Sequence, residues 1–229
     1  MRQPRPDFAA VAASLCARHG GCMPVEFIVS ALVTLLVVVD PVGLVPTFIA
    51  MTEGLPARAR RRVAIRASMI AFAILAGSSL AGDFLLKKLG VGIPAFRIAG
   101  GLLLFSIAFE MLFGIRIPRQ VQEAEEAIEE HVRNIAAFPL AIPLMAGPGA
   151  ITACVLLAGR AGGEVMPLAS LLGVIALVFA ICLAVFMAAG KIAKLIGVTG
   201  NIVLSRLLGV LLAALAVQFV IDGLKAVWN

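Results

Sequence analysis

Six stretches of apolar sequence, at 27–50, 64–86, 94–113, 135–158, 166–189 and 203–224, limit what this chain can become. Hydrocarbon about 30 Å thick is crossed by roughly 20 residues of helix, so each stretch has the length of a membrane span. Of 229 residues, 62% are hydrophobic and only 14% are charged, whereas soluble domains are about half apolar and a quarter charged. No soluble core of this size absorbs six such runs; the solvent is a bilayer. Strands of a membrane barrel would alternate lipid-facing and lumen-facing residues, but these runs are apolar on every face, which predicts helices. The expected fold class is an all-α membrane protein with six transmembrane helices.

The charges then orient the chain. Arg58, Arg60, Arg61, Arg62, Arg66, Arg116, Arg119, Arg133, Lys191 and Lys194, ten in all, fall on one side of the predicted spans, and Lys87, Lys88, Arg160 and Lys225 on the other, four, or seven with Arg2, Arg5 and Arg18. The positive-inside rule makes the first side cytoplasmic and both termini periplasmic. The excess of 19 Lys and Arg over 13 Asp and Glu is thereby assigned to loops, not to a nucleic-acid partner. Residues 114–134 form a cytoplasmic loop, with Glu123, Glu125, Glu126, Glu129 and Glu130 on a solvated surface helix.

Residues 1–22 differ from the rest. Arg2 and Arg5 precede a short apolar run, yet Arg18 and His19 stand where a cleavage site would need small residues. A disordered extension or a misassigned start is expected, since Met23 immediately precedes the first span.

Several chemistries are excluded. Cys16, Cys22, Cys154 and Cys182 form no CxxC, and only His19 and His131 accompany them, so no metal or haem site is expected. The isolated Cys154 and Cys182 also argue against thiol transfer across the membrane. Gly90-Val91-Gly92-Ile93-Pro94-Ala95 fits a permissive dinucleotide pattern but lacks the strand such a fingerprint needs. Without a GxxxxGK string, ATP drive is not expected either. No cofactor is implied.

The two halves of the chain echo each other. Asp40-Pro41-Val42-Gly43 is followed, 56 positions after its proline, by Arg97-Ile98-Ala99-Gly100-Gly101-Leu102-Leu103. Gly147-Pro148-Gly149 is followed, 58 positions after its proline, by Arg206-Leu207-Leu208-Gly209-Val210-Leu211-Leu212. Each half holds three spans, an odd number, so the second copy is inverted relative to the first. Repeat one is expected at 23–113 and repeat two at 135–229, each with a broken first helix.

The motifs also carry a family resemblance. Asp40-Pro41-Val42-Gly43-Leu44-Val45-Pro46-Thr47-Phe48, Phe96-Arg97-Ile98-Ala99-Gly100-Gly101-Leu102 and the run from Phe138 to Thr152, containing Met145-Ala146-Gly147-Pro148-Gly149, resemble the MarC (UPF0056) family of bacterial inner-membrane proteins. The resemblance covers about residues 23–226 and implies grouping with LysE-type exporters and a likeness to neutral amino acid transporters. It is the resemblance that suggests amino acid cargo and outward direction.

Proline removes an amide donor and clashes with the preceding turn, so Pro41 and Pro46 in the first span and Pro148 in the fourth should interrupt their helices. Gly43, Gly147 and Gly149 are expected to let the backbone turn. Each break is followed by a half-helix whose N-terminus carries unpaired amides and partial positive charge, suited to a carboxylate, with the hydroxyls of Thr47 and Thr152 assisting. Asp40 is the ionisable residue deep in a predicted span and could hold an ammonium group, a coupling proton or Na+. Asp before Pro is equally a standard helix start, with the carboxylate capping an amide. The expected binding set is Asp40, Pro41, Gly43, Thr47, Gly147, Pro148, Gly149 and Thr152, for a small zwitterion. Arg97, Arg206 and Glu110 either reach the lipid headgroups or serve as gating or structural charges, the two arginines sharing a role or pairing with Asp40. The functional expectation is a secondary transporter working by alternating access. The alternative is a non-transporting membrane component with a sensing or assembly role.

Overall fold

The computed structural model describes residues 25–115, 119, 136–161 and 164–228. The extension at 1–22 and nearly all of the acidic stretch at 114–134 lie outside them. Every regular element among the described residues is helical, the outcome forced where lipid offers the backbone no hydrogen-bond partner. In chain order these are α1 (Val25–Val39), the short α2 (Val45–Met51), α3 (Ala57–Lys88), α4 (Ile93–Phe113), a π-wound segment (Ala136–Met145), α5 (Pro148–Arg160), α6 (Val165–Met187) and α7 (Ala189–Trp228).

Four stretches are long and apolar enough to cross a membrane: Ala57–Gly82, Ile93–Phe113, Val165–Met187 and Thr199–Trp228. The expected spans at 27–50 and 135–158 are instead composite. α1 and α5 have 15 and 13 residues; at 1.5 Å per residue they rise only about 22 and 20 Å, short of the roughly 30 Å of hydrocarbon.

Helix ends follow local chemistry. Pro56, extended at φ −63° and ψ 151°, starts α3 at Ala57, so Arg58, Arg60, Arg61 and Arg62 ride on helix where hydropathy marked a loop. α4 carries Pro94 in its first turn and stops at Gly114, whose φ of 71° suits glycine. There the Ile115 amide donates to the Glu110 carbonyl at 2.9 Å. Inside α7, Gly197 (φ 63°, ψ 179°) breaks the winding, and the crossing stretch begins at Thr199 instead of 203.

α5 is buried on nearly all faces, from Gly149 through Ala158, and is the centre of the protein. α1 packs on α5, α6 and α7, while α3 covers α5, α6 and the π-wound segment. The most extensive pairing joins α4 to α7. A Cβ built on Gly101 would lie 2.8 Å from the Ala216 carbonyl, one on Gly209 would lie 3.2 Å from the Ala108 carbonyl, and one on Gly223 would lie 3.0 Å from the Pro94 carbonyl. Residue numbers rise along α4 as they fall along α7, so the pair is antiparallel. Helices in lipid gain little from hydrophobic burial against each other, so backbone approach through small residues holds such a pair together. Leu102, Leu103 and Phe105 of α4 and Leu207, Val210 and Leu211 of α7 are left on the outside, the surface that lipid covers.

Candidate functional site

The first break is organised by one side chain. The Asp40 amide still donates to the Leu36 carbonyl at 2.9 Å, completing α1, and Asp40 then turns to φ 50°. Asp is among the few side chains that tolerate this left-handed region. Pro41 cannot extend the helical ladder. Oδ1 of Asp40 accepts the Gly43 amide at 3.0 Å, the Asp40 carbonyl accepts the Leu44 amide at 3.1 Å, and the Val42 carbonyl accepts the Val45 amide at 3.1 Å. The carboxylate is 3% exposed. Thr47, one turn on, is fully buried, and its hydroxyl has no hydrogen-bond partner.

These bonds correct the role expected of Gly43. Asp40, not Gly43, takes the left-handed conformation. A Cβ on Gly43 would stand 2.6 Å from Cγ of Asp40 and closer still to its Oδ2. Gly43 is therefore needed for space beside the carboxylate. Gly147 (φ −72°, ψ 170°) and Gly149 likewise avoid positive φ, so they do not supply a glycine-only turn.

The second break has a different construction. Pro139 and Pro143 lack amide donors four positions apart, which deprives the usual helical ladder of two rungs. The chain winds more widely, with the Ala146 amide donating to the Ala141 carbonyl at 2.9 Å, five residues back. Gly147 and Pro148 then start α5, with no side chain capping its first turn. A Cβ on Gly149 would overlap Cδ1 of Ile107 and lie 3.7 Å from Cγ1 of Val38, in the last turn of α1. Thr152 is buried and its methyl presses into the hollow above Gly100.

Of the residues singled out by sequence, Asp40, Pro41, Gly43 and Thr47 thus belong to one break, and Gly147, Pro148, Gly149 and Thr152 to the other, and the helices α1 and α5 beside them pack together. Ile107 and Leu104 complete this seam, and neither carries a sequence signal beyond lying on an apolar helix.

Arg97, Arg206 and Glu110 lie elsewhere. Because α4 and α7 are antiparallel, Arg97 stands at one end of the pair and Arg206 at the other. Arg97 is near enough to Arg160 for the two charges to repel, and its Nε is buried without a hydrogen-bond partner. Arg160, the last residue of α5, reaches Asp222 of α7 at 3.1 Å and lies 4.8 Å from the centre of the Phe219 ring; Gln218 donates to the same carboxylate at 2.7 Å. Arg206 is exposed beside Gly114, and Glu110 pairs with Arg119. The structure does not bring the two arginines together. Arg160 and Asp222 are both part-exposed, so Asp222→Asn is expected to cost at most about 1 kcal/mol in detergent unfolding.

Comparison with known proteins fits this architecture. Residues 25–228 match the description "MarC family integral membrane protein". A UPF0056 membrane protein of Archaeoglobus fulgidus is 41% identical over 200 residues, covering 87% of this chain and 92% of that protein. One from Methanocaldococcus jannaschii is 35% identical over 209 residues, covering 89% and 98%. The UPF0056 membrane protein YhcE of Escherichia coli is 36% identical over 195 residues, covering 85% and 90%. No solved structure matches the chain. These relatives come from archaea as well as bacteria, so the likeness fixes a multi-pass membrane protein without fixing a bacterial inner membrane. On a match running from the first turn of α1 to the end of α7, the chain belongs to the MarC family of integral membrane proteins.

Proposed function

We propose that the protein is a secondary transporter of small polar molecules, neutral amino acids first among them, working by alternating access. The observation that carries this reading is the packing of two interrupted helices from different halves of the chain, α1 against α5, with the buried carboxylate of Asp40 at the end of α1. Irregular backbone at membrane depth is tolerated where protein encloses it or water reaches it. In transporters built from inverted repeats, broken helices of this kind form the substrate site.

α1 with α2, and the π-wound segment with α5, make two composite crossings in this transporter. With α3, α4, α6 and α7 they make six, arranged as two inverted halves. Both termini then lie on one side, which the distribution of arginine and lysine makes periplasmic. The breaks divide the labour. The α5 N-terminus, with Pro148 at its first position and no side-chain cap, leaves amides for a carboxylate. The seven-residue α2 adds little, and the Gly43 amide is already taken by Asp40. Asp40 is the group for an ammonium, a proton or Na+. Val38, Leu104 and Ile107 crowd Gly149 and Asp40 is buried, so in this reading a solute reaches Asp40 only when helices part.

Asp40→Asn separates charge from capping. Asparagine tolerates the left-handed conformation and can accept the Gly43 amide, so the fold should persist. In proteoliposome counterflow with a labelled amino acid panel, the unmodified protein is expected to exchange at least one neutral amino acid and Asp40→Asn to lose at least ten-fold in rate. Equal rates would remove the ionic role. No exchange of any substrate by the unmodified protein would favour the non-transporting alternative.

A further inference from the structure

A cavity lies apart from the two breaks. It measures about 470 Å³ and lies where the end of α2 and the connection after it meet the start of α3 and the end of α6. Arg58, Arg60 and Arg61 line one side, and Phe48, Phe186 and Met187 the other. Behind that side the buried rings of Phe48 and Phe186 stack at 4.5 Å with 12° between their planes, and the accessible apolar surface is that of Leu55 and Met187. Met187, 54% exposed, leaves that side open at the protein surface.

The basic side is uncompensated. Among the described residues, no carboxylate pairs with Arg58, Arg60 or Arg61. Arg60 is held by donating Nη2 to the Thr52 carbonyl at 3.3 Å, while its Nε is buried without a partner. Pro56 offers the first turn of α3 no capping side chain, so the helix start adds partial positive charge to the same place. Three like charges gathered in a concavity, one carrying a buried unused donor, are arranged for an oxyanion.

We propose that this cavity binds a phosphate ester attached to an apolar body, with the phosphate on Arg58, Arg60 and Arg61 and the body against Leu55 and Met187. Arg58 opens a helix whose next residues have membrane-crossing composition, which sets the cavity at headgroup depth. Two sources share this chemistry, the headgroup of an anionic phospholipid and a soluble organic phosphate. The site does not depend on transport through the seam.

The test is thermal unfolding of the full chain in a neutral detergent, titrated with dihexanoyl phosphatidylglycerol, dihexanoyl phosphatidylcholine, phenyl phosphate or inorganic phosphate. The variants are Arg61→Gln alone, the triple Arg58→Gln/Arg60→Gln/Arg61→Gln, and Lys88→Gln/Lys225→Gln as a control away from the cavity. Saturable stabilisation by phosphatidylglycerol, at least ten-fold tighter than by phosphatidylcholine and weakened at least ten-fold in the triple variant, identifies a lipid ligand. Saturation by phenyl phosphate but not by the lipid, with the same arginine dependence, identifies a soluble one. Arg61→Gln should weaken either by a smaller factor, which keeps the test decisive if the triple variant does not fold. The proposal fails if neither compound saturates, if the arginine variants bind like the unmodified protein, or if inorganic phosphate binds as tightly as the esters.

Discussion

Gly43→Ala is expected to cost about 2–3 kcal/mol in unfolding free energy and to abolish counterflow. The new methyl would occupy space held by the Asp40 carboxylate, 2.6 Å from Cγ, so the side chain must swing out and release the Gly43 amide. A hydrogen bond to a charged group contributes about 1.5–3 kcal/mol, and the displaced carboxylate has no solvent to retreat into. Asp40→Ala removes the obstructing atoms. The double-mutant cycle should therefore be strongly non-additive, with Gly43→Ala costing under about 1 kcal/mol in that background. Additive costs would mean that Gly43 and Asp40 act independently and that the proposed origin of the break is wrong.

Gly101→Val should be about as damaging for a different reason. Its Cβ would meet the Ala216 carbonyl at 2.8 Å and the Val220 amide nitrogen at 3.1 Å. Backbone cannot rotate aside as a side chain can, so α7 must move away from α4 along much of their contact. Overpacking a tight interface costs roughly 1–3 kcal/mol, and the close approach lost with it is the main adhesion available between helices in lipid. The expected loss is about 3 kcal/mol, read by detergent unfolding. Gly77→Ala is the matching control. Nothing lies within 4 Å of a Cβ at Gly77, and alanine favours helix over glycine by about 1 kcal/mol, so its stability should hold or rise.

Much of the fold was legible because hydropathy reports contact with lipid and proline reports lost donors. The apolar stretches became helices, and Asp40-Pro41 and Gly147-Pro148 marked real interruptions. Hydropathy does not report where a backbone stops winding once it leaves the lipid, which is why the start of α3 was placed late, beyond its arginines. Pro139 and Pro143 stood in a quoted motif, but the wider winding they impose emerges only when each carbonyl must find a donor. Gly43 was noticed for the wrong property, since sequence displays a glycine's freedom to turn more readily than a neighbour's need for room. The separation of Arg97 from Arg206 depends on the antiparallel pairing of α4 and α7, a relation between distant segments that no local pattern encodes.

The shortness of α1 and α5 has an electrical consequence. An applied voltage falls across the low-dielectric layer, and in this fold part of that layer is the thin seam where the two short helices end. Moving one elementary charge through the whole potential involves about 2.3 kcal/mol per 100 mV, and a charge arriving at Asp40 crosses a share of it. In the proposed transport cycle, filling or emptying that carboxylate is therefore electrical work as well as chemistry, and a membrane potential would bias its occupancy before any solute is chosen.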